Sequence, residues 1–206
     1  SFTLNVNTGS DVQDAATNVL GSSVNSAAVS IDNSAPAAVS ITPAGTGPTN
    51  ADTMSFDFTF DEDVVNFNDM ADVIVNHTGT SHSGVNITGS GALYSVDVTG
   101  IAGDGSFTLA ANTGSDVEDT VTNALGSSVT SAPVSIDNTS PSASIGAASA
   151  ESTTVGPVSY TITYAEANDV SLAGGDITLN KTGSADGSIA VSGEGTSVRM
   201  VTISNI

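Results

Sequence analysis

Residues 1–36 read SFTLNVNTGSDVQDAATNVLGSSVNSAAVSIDNSAP, and residues 106–141 read SFTLAANTGSDVEDTVTNALGSSVTSAPVSIDNTSP. Twenty-six of the 36 positions are identical at a constant offset of 105. Self-similarity at a fixed period is the mark of a repeat architecture. The sequence therefore predicts that one structural unit occurs more than once in the chain.

A weaker repeat extends this pattern through the rest of the chain. Residues 54–63 (MSFDFTFDED) align with residues 158–167 (VSYTITYAEA), and DVIVNHTG at 72–79 aligns with DITLNKTG at 176–183, both at an offset of 104. One repeat is therefore about 104 residues long, which predicts a tandem array.

The alignment predicts where the repeats begin and end. Residues 1–36 are the last strands of one repeat, 37–141 a complete repeat, and 142–206 the first strands of a further repeat. Because Ser1 is the counterpart of Ser106 and Ile206 that of Ile101, we expect the chain to begin inside one repeat and to end inside another.

Apolar and polar residues alternate in short runs. Met54, Phe56, Phe58 and Phe60 share one face, and this period of two is typical of a strand with one buried side. Similar runs predict about seven strands in the complete repeat. They lie near residues 37–42, 53–60, 71–77, 84–88, 92–99, 106–111 and 128–136. The sequence thus predicts an all-β fold of tandem antiparallel β-sandwiches, immunoglobulin-like, with one short helical turn within residues 116–124.

The charge balance bounds the function. The chain has 22 acidic residues and two basic ones, Lys181 and Arg199, for a net charge of −20. This balance excludes nucleic acid as a partner, because phosphate binding needs many basic residues. No apolar run approaches the ~20 residues that span a bilayer, so no membrane insertion is predicted. The acids must be solvated, screened by salt or bound to cations.

Two short motifs carry a family resemblance. Asp14-Ala-Ala-Thr-Asn18 and Val29-Ser-Ile-Asp-Asn33 resemble the "DAAGN" and "VDNTAP" tails of the bacterial immunoglobulin-like repeats of giant biofilm and cell-surface adhesins. The resemblance implies an extracellular, non-enzymatic repeat, often rigidified by calcium at its junctions. The chain departs from the pattern at Thr17 and Thr122, where the family prefers glycine.

Acidic residues crowd at a predicted strand-end loop and at the repeat junctions. The candidate ligands are Asp61, Glu62, Asp63, Glu166 and Asp169 in the loops, Asp32, Asn33, Asp137 and Asn138 at the junctions, and Asp104 between two glycines; Asp119 is a further candidate. Calcium takes six to eight oxygen ligands, which two converging acidic loops could supply. The sequence therefore predicts Ca²⁺ at the junctions. The alternative interpretation is that these are solvated acids of a marine or halophilic protein.

Catalysis finds little support in the sequence. His77 and His82 are the only histidines, and their repeat counterparts are Lys181 and Asp186. Neither histidine therefore belongs to the repeated design, and no enzymatic activity is predicted.

Two arrangements would complete the partial repeats at 1–36 and 142–206. With strands of up to ~10 residues at ~3.4 Å each, the poles of the middle sandwich lie roughly 35–45 Å apart. The two partial repeats of one chain are therefore not expected to meet. Either the segment belongs to a longer polypeptide, or the tail of one chain supplies the last strands of its neighbour, as in donor-strand complementation.

These observations predict a structural repeat of an extracellular filament or giant surface adhesin with a cell-surface or biofilm role. Its partners would be copies of itself in a linear array stiffened by divalent cations. The alternative is an adhesion module whose loops bind a glycan or a protein ligand.

Overall fold

A computed structural model describes residues 1–9, 11–193, 195 and 197–206 of the chain. Strands are the predominant secondary structure of the described residues, which form two compact units, Ser1–Asp137 and Asn138–Ile206. The finer division at residues 36 and 141 stays a prediction. No helix among the described residues is long and apolar enough to cross a bilayer.

Among its described residues, the first unit contains ten strands and one short 3-10 helix, Met70–Asp72. The strands are β1 (Asn5–Val6), β2 (Val24–Asn25), β3 (Ala37–Pro43), β4 (Thr53–Val65), β5 (Val73–Ser81), β6 (Gly84–Thr99), β7 (Ala102–Ala111), β8 (Glu118–Asp119), β9 (Ser127–Ser128) and β10 (Val134–Ile136). One sheet has the order β6-β4-β3-β9, with β8 paired to β4, and the other has the order β10-β7-β5. Strands β1 and β2 form a two-stranded ribbon. All these pairs are antiparallel except β3 with β9.

The core of the first unit lies between the two larger sheets. Along β4 the buried side chains include Met54, Phe56, Phe58 and Phe60, and the residues between these four are exposed or half-buried. Phe107, Leu109, Val134 and Ile136 face them from β7 and β10. The period-two pattern is thus the inner face of one layer, and the prediction of an all-β sandwich is confirmed.

The acidic end of β4 differs from the predicted loop. Asp61, Glu62 and Asp63 lie on the extended strand, which continues to Val65. Strand β8 pairs with this extension, with Val64 opposite Asp119. The strand continues because β8 supplies backbone partners there, which periodicity in β4 alone does not reveal.

The predicted helical turn within residues 116–124 is wrong. The segment contains β8 and an antiparallel bridge between Glu118 and Ala124. The Asp119 side chain accepts the backbone N–H groups of Val121 and Asn123, both over 2.8 Å. Such local side-chain bonds offer the backbone an alternative to a helix.

Two predicted strands near 84–88 and 92–99 are joined in the single element β6. The backbone turns within it at Gly89 and Gly91, both with positive φ. Ser83 N–H donates to the Thr99 carbonyl over 3.0 Å, which brings the two ends of β6 together. The element therefore acts as a hairpin, and the glycines permit its turn.

The residues of the second unit that the structure describes form one four-stranded sheet and a 3-10 helix, Gly174–Asp176. Its strands are β11 (Ser142–Ile145), β12 (Val158–Ala165), β13 (Ser188–Ser192) and β14 (Val198–Ser204). They pair antiparallel in the order β11-β12-β14-β13. Residues 177–187 form no strand. The described part of this unit therefore provides no second sheet to cover a face of the first.

Candidate metal centre

Three carboxylates from distant parts of the sequence meet in the first unit. Asp32, Glu62 and Asp119 each offer one oxygen, and these oxygens all lie within 4.8 Å of one another. No other group of three acidic, histidine or cysteine side chains meets this criterion among the residues that the structure describes. The fold thus joins the segment before β3, the end of β4 and the short strand β8 at one place.

Asp119 is held by the turn that follows β8. Besides the two backbone bonds to Oδ1, Oδ2 accepts the Asn123 side-chain amide over 2.8 Å. Burial raises the pKa of Asp119, but these hydrogen bonds outweigh it and hold the pKa below the ordinary value. Asp119 is therefore an ionised, immobilised carboxylate at neutral pH.

Asp32 is tied to the same turn through its backbone. The Asn123 amide donates to the Asp32 carbonyl over 3.4 Å, and Ser34 N–H donates to Asp32 Oδ1 over 3.0 Å. Nearby, Ala37 N–H donates to Asp61 Oδ1 over 2.7 Å. Asp61 therefore anchors the first residue of β3, while Asn123 links the preceding segment to β8.

Glu62 experiences the repulsion within this cluster. Desolvation, followed by the negative charges of Asp32, Asp119 and Asp61, raises the pKa of Glu62. Both basic residues of the chain, Lys181 and Arg199, belong to the second unit. The first unit therefore contains no lysine or arginine that could neutralise the three carboxylates.

The donor set fits a hard divalent cation. Three carboxylates supply oxygen ligands only, the type that Ca²⁺ and Mg²⁺ prefer. The hydrogen bonds to Asp32 and Asp119 fix the carboxylates and leave further lone pairs on their oxygens. If a cation binds here, Asp32, Glu62 and Asp119 would hold it.

The other predicted ligands are not members of this three-carboxylate cluster. Asp63 is on β4, Asp104 is on β7, and Asp137 and Asn138 lie where the first unit ends and the second begins. Glu166 and Asp169 follow β12 in the second unit, and Asn33 adjoins Asp32. Their roles as ligands stay predictions.

Asp119 was the candidate that the sequence marked least clearly. Its signal is the spacing Asp-x-x-x-Asn, present as Asp119 with Asn123 and again as Asp14 with Asn18. Both pairs make the same side-chain bond, over 2.8 Å and 2.9 Å. The spacing corresponds to a local turn that holds the carboxylate, but the sequence analysis interpreted the second copy as a helical turn and did not show which distant acids approach it.

The two histidines form a separate cluster on and beside β5. Their rings stack with centroids 4.9 Å apart, and His77 Nε2 lies 2.7 Å from His82 Nδ1. His77 Nδ1 also lies 2.8 Å from Thr80 Oγ1. Burial, and secondly the charge of His82, lower the pKa of His77. These contacts serve local packing in β5 and leave both nitrogens of His77 with partners.

The sequence matches no protein-family model, and no curated protein matches it. Among solved structures it aligns with the adhesin InvE of Yersinia pseudotuberculosis, at 15% identity and a TM-score of 0.30. The alignment covers 81% of this chain and 51% of the InvE chain, so the chain spans about half of the structure it matches.

Proposed function

We propose that this chain is a non-enzymatic structural repeat of an extracellular filament or a large cell-surface adhesin. The observation that carries the proposal is the internal duplication, in which 26 of 36 positions recur at a constant offset. Repeats of one supersecondary design stack into extended arrays and serve as spacers or scaffolds. The partners of the chain are then copies of its own fold, joined in a linear array.

The side-chain inventory supports a mechanical role. The apolar residues of β4, β7 and β10 are used in packing, and the surface is dominated by acids with a net charge of −20. Such a charge keeps extended arrays soluble and prevents nonspecific lateral association. It also requires cations or salt around the carboxylates, as an extracellular medium supplies.

We further propose that a divalent cation binds Asp32, Glu62 and Asp119. The support is the approach of three carboxylates in a unit that has no lysine or arginine, together with the raised pKa of Glu62. A cation there would bridge the segment before β3 to β4 and β8. It would thereby fix residues 1–36 against the sandwich that follows them.

Localisation on intact cells tests the proposed function. Antibodies against the purified chain should label the cell surface or attached filaments of the source organism by immunogold electron microscopy. Cells lacking the gene are the control and should show no label. Labelling confined to the cell interior would overturn the proposal.

A further inference from the structure

A donor segment, residues 1–31, exposes apolar side chains whose repeat counterparts are buried. Its counterpart at residues 106–136 supplies β7 and β10 to the core of the first unit. The exposed fractions are 59% for Phe2 against 1% for Phe107, 70% for Leu4 against 0% for Leu109, and 54% for Val12 against 0% for Val117. A contiguous run of exposed apolar residues marks an interaction surface. The donor segment therefore has the apolar side chains that form a core in its counterpart, but here they are exposed.

The donor segment nevertheless has the local backbone structure of its counterpart. Three contacts occur in both segments. Phe2 pairs with Val29, Leu4 bonds to Ser26, and Asp14 bonds to Asn18. The equivalent contacts in the counterpart are Phe107 with Val134, Leu109 with Ser131, and Asp119 with Asn123. Leu4 N–H donates to Ser26 Oγ over 2.9 Å, and Leu109 N–H donates to Ser131 Oγ over 3.0 Å. Because these contacts already exist, the segment is pre-organised and loses less conformational entropy on docking.

The second unit has an apolar groove where the first unit has β7. Six of the residues that line this groove define the receiving face: Tyr160, Ile162, Ile177, Leu179, Val201 and Ile203. Tyr160 lies opposite Val201, just as Phe56 lies opposite Val96 in the first unit. The receiving face is therefore the counterpart of the β4 and β6 face that β7 covers.

The strand that would pair with a docked segment is unformed in the second unit. Residues 73–78 belong to β5 and pair with β7, with Val75 opposite Leu109. Their counterparts, residues 177–182, have no strand structure. A strand without a pairing partner leaves its backbone groups unsatisfied. Residues 177–182 therefore lack a pairing strand equivalent to β7, which pairs with β5 in the first unit.

We infer that the donor segment of a second copy of this chain docks on the receiving face and adds strands to the second unit. In the register of β5 and β7, Leu4 of the second copy lies opposite Leu179, and Phe2 lies against Tyr160 as Phe107 lies against Phe56. This deepens the proposed function and rests on it, because it specifies how copies join into a linear array. Strand addition satisfies backbone groups and fills side-chain pockets at the same time.

The identity of the occupant follows from the repeat. In the first unit, the counterpart of the receiving face is covered by the segment that begins at Ser106. Residues 106–141 share 26 of 36 residues with residues 1–36. The apolar positions Phe2, Leu4, Val12, Val29 and Ile31 are identical to their counterparts Phe107, Leu109, Val117, Val134 and Ile136. A second copy therefore offers side chains of the right size at the right spacing.

Charge sets the conditions for docking. Each copy carries a net charge of −20, so two copies repel each other at low ionic strength. Added salt screens this repulsion while apolar burial is retained. Assembly of the full chain is therefore expected to strengthen as sodium chloride is raised.

A disulfide cross-link tests the register. The chain contains no cysteine, so Leu4→Cys combined with Leu179→Cys introduces one defined pair in the full chain. Oxidation should give a ladder of covalent multimers on a non-reducing denaturing gel. The matched control is Leu4→Cys with Ile177→Cys, a pair displaced by two residues and beyond the distance a disulfide spans. No cross-link, a cross-link within single chains, or equal ladders from both pairs would overturn the inference.

A charge placed on the donor segment tests the docking independently. Leu4→Asp puts a carboxylate on the face that would be buried, whereas Thr3→Asp puts the same charge on the opposite face of the strand. Both residues are exposed in the single chain, so neither change should affect its folding. In sedimentation velocity, the unmodified chain and Thr3→Asp should form larger species as concentration and salt rise, and Leu4→Asp should remain monomeric. Equal behaviour of all three proteins would overturn the inference.

Failure of this inference differs from failure of the proposed function. Surface labelling together with absent cross-links would leave the proposed function standing and overturn strand donation. A cross-linked ladder from a protein found only inside cells would support strand donation and overturn the proposed function.

Discussion

The ring of Phe56 packs edge-on against the ring of Phe107, with centroids 5.8 Å apart and an interplanar angle of 60°. Phe56 belongs to β4 and Phe107 to β7, so this contact joins the two sheets of the first unit. Such aromatic pairs stabilise a core beyond the burial of their area. The repeated segment that contains Phe107 is therefore half of a sandwich core and not a spacer between domains.

Truncation of two leucines at equivalent repeat positions should change the free energy of unfolding by very different amounts in dilute solution. Leu109→Ala empties a fully buried site and is expected to lower the free energy of unfolding by about 2–5 kcal/mol. Leu4→Ala removes an exposed side chain and should change it by no more than about 0.5 kcal/mol. Urea denaturation followed by circular dichroism measures both. Equal losses would show that Leu4 is buried in the single chain.

Acid should weaken the turn after β8. Because hydrogen bonds hold the folded-state pKa of Asp119 below 3.8, its contribution is complete above pH 3.8 and is lost as pH falls through the folded-state pKa. Asp119→Asn should lower the melting temperature at neutral pH, and its difference from the unmodified protein should shrink below pH 3.8. Calorimetry between neutral and strongly acidic pH measures this difference.

The control for that experiment is Asp57→Asn, which removes an exposed carboxylate of β4. It should lower the melting temperature less than Asp119→Asn at neutral pH. If the loss from Asp119→Asn is unchanged down to the most acidic pH, the ionised carboxylate does not stabilise the turn.

Glu62→Gln should act in opposite directions with and without calcium. The raised pKa of Glu62 means that its ionised form is disfavoured in the folded state. The free energy of unfolding therefore begins to fall as pH rises above 4.5, and it continues to fall until pH has passed the folded-state pKa. In a chelator at neutral pH, Glu62→Gln should therefore raise the melting temperature. It should also abolish most of the increase that calcium produces in the unmodified protein.

Glu118→Gln is the matched control, since Glu118 adjoins Asp119 on β8 but lies outside the three-carboxylate cluster. It should retain the calcium response. All proteins are compared by calorimetry at constant ionic strength. An identical calcium response in Glu62→Gln and the unmodified chain would exclude Glu62 as a ligand.

His77 should titrate below the ordinary histidine value of 6.5. Burial is the larger cause of its lowered pKa and the charge of His82 the smaller. As pH falls below 6.5 the unfolded chain gains a proton that the folded chain does not, so stability decreases until the folded-state pKa is reached. NMR titration of the His77 imidazole measures this pKa directly.

Replacement of His82 separates the two causes. In His82→Gln the pKa of His77 should rise but remain below 6.5, because burial persists. A value at or above 6.5 in this variant would mean that His82 is the dominant cause.

The sequence predicted the strands whose own residues alternate, and it did less well where a strand depends on a partner. The alternation of Met54, Phe56, Phe58 and Phe60 identified β4, but the extension to Val65 depends on pairing with β8. The segment after Glu118 was predicted as a helical turn, and the side-chain bonds of Asp119 decide against it. Periodicity reports burial, whereas these features depend on individual hydrogen bonds.

The members of the three-carboxylate cluster were predicted only in part, and cation binding there stays a prediction. The excess of acids over bases indicated cation binding, and Asp32 and Glu62 were among the ten candidates in the sequence. Their approach to Asp119 is created by β8 docking on β4. A spacing along the chain does not determine which of many acids a sheet brings together.

Residues 1–31 and 106–136 separate what the sequence determines from what the tertiary structure decides. Nearly the same sequence produces the same local contacts in both, such as Asp14 with Asn18 and Asp119 with Asn123, because hydrogen bonds over a few residues depend only on neighbours in the chain. Burial differs completely between the two segments, since it requires a facing sheet. β4 covers one copy of this sequence, and the other copy remains exposed because no sheet of its own unit faces it.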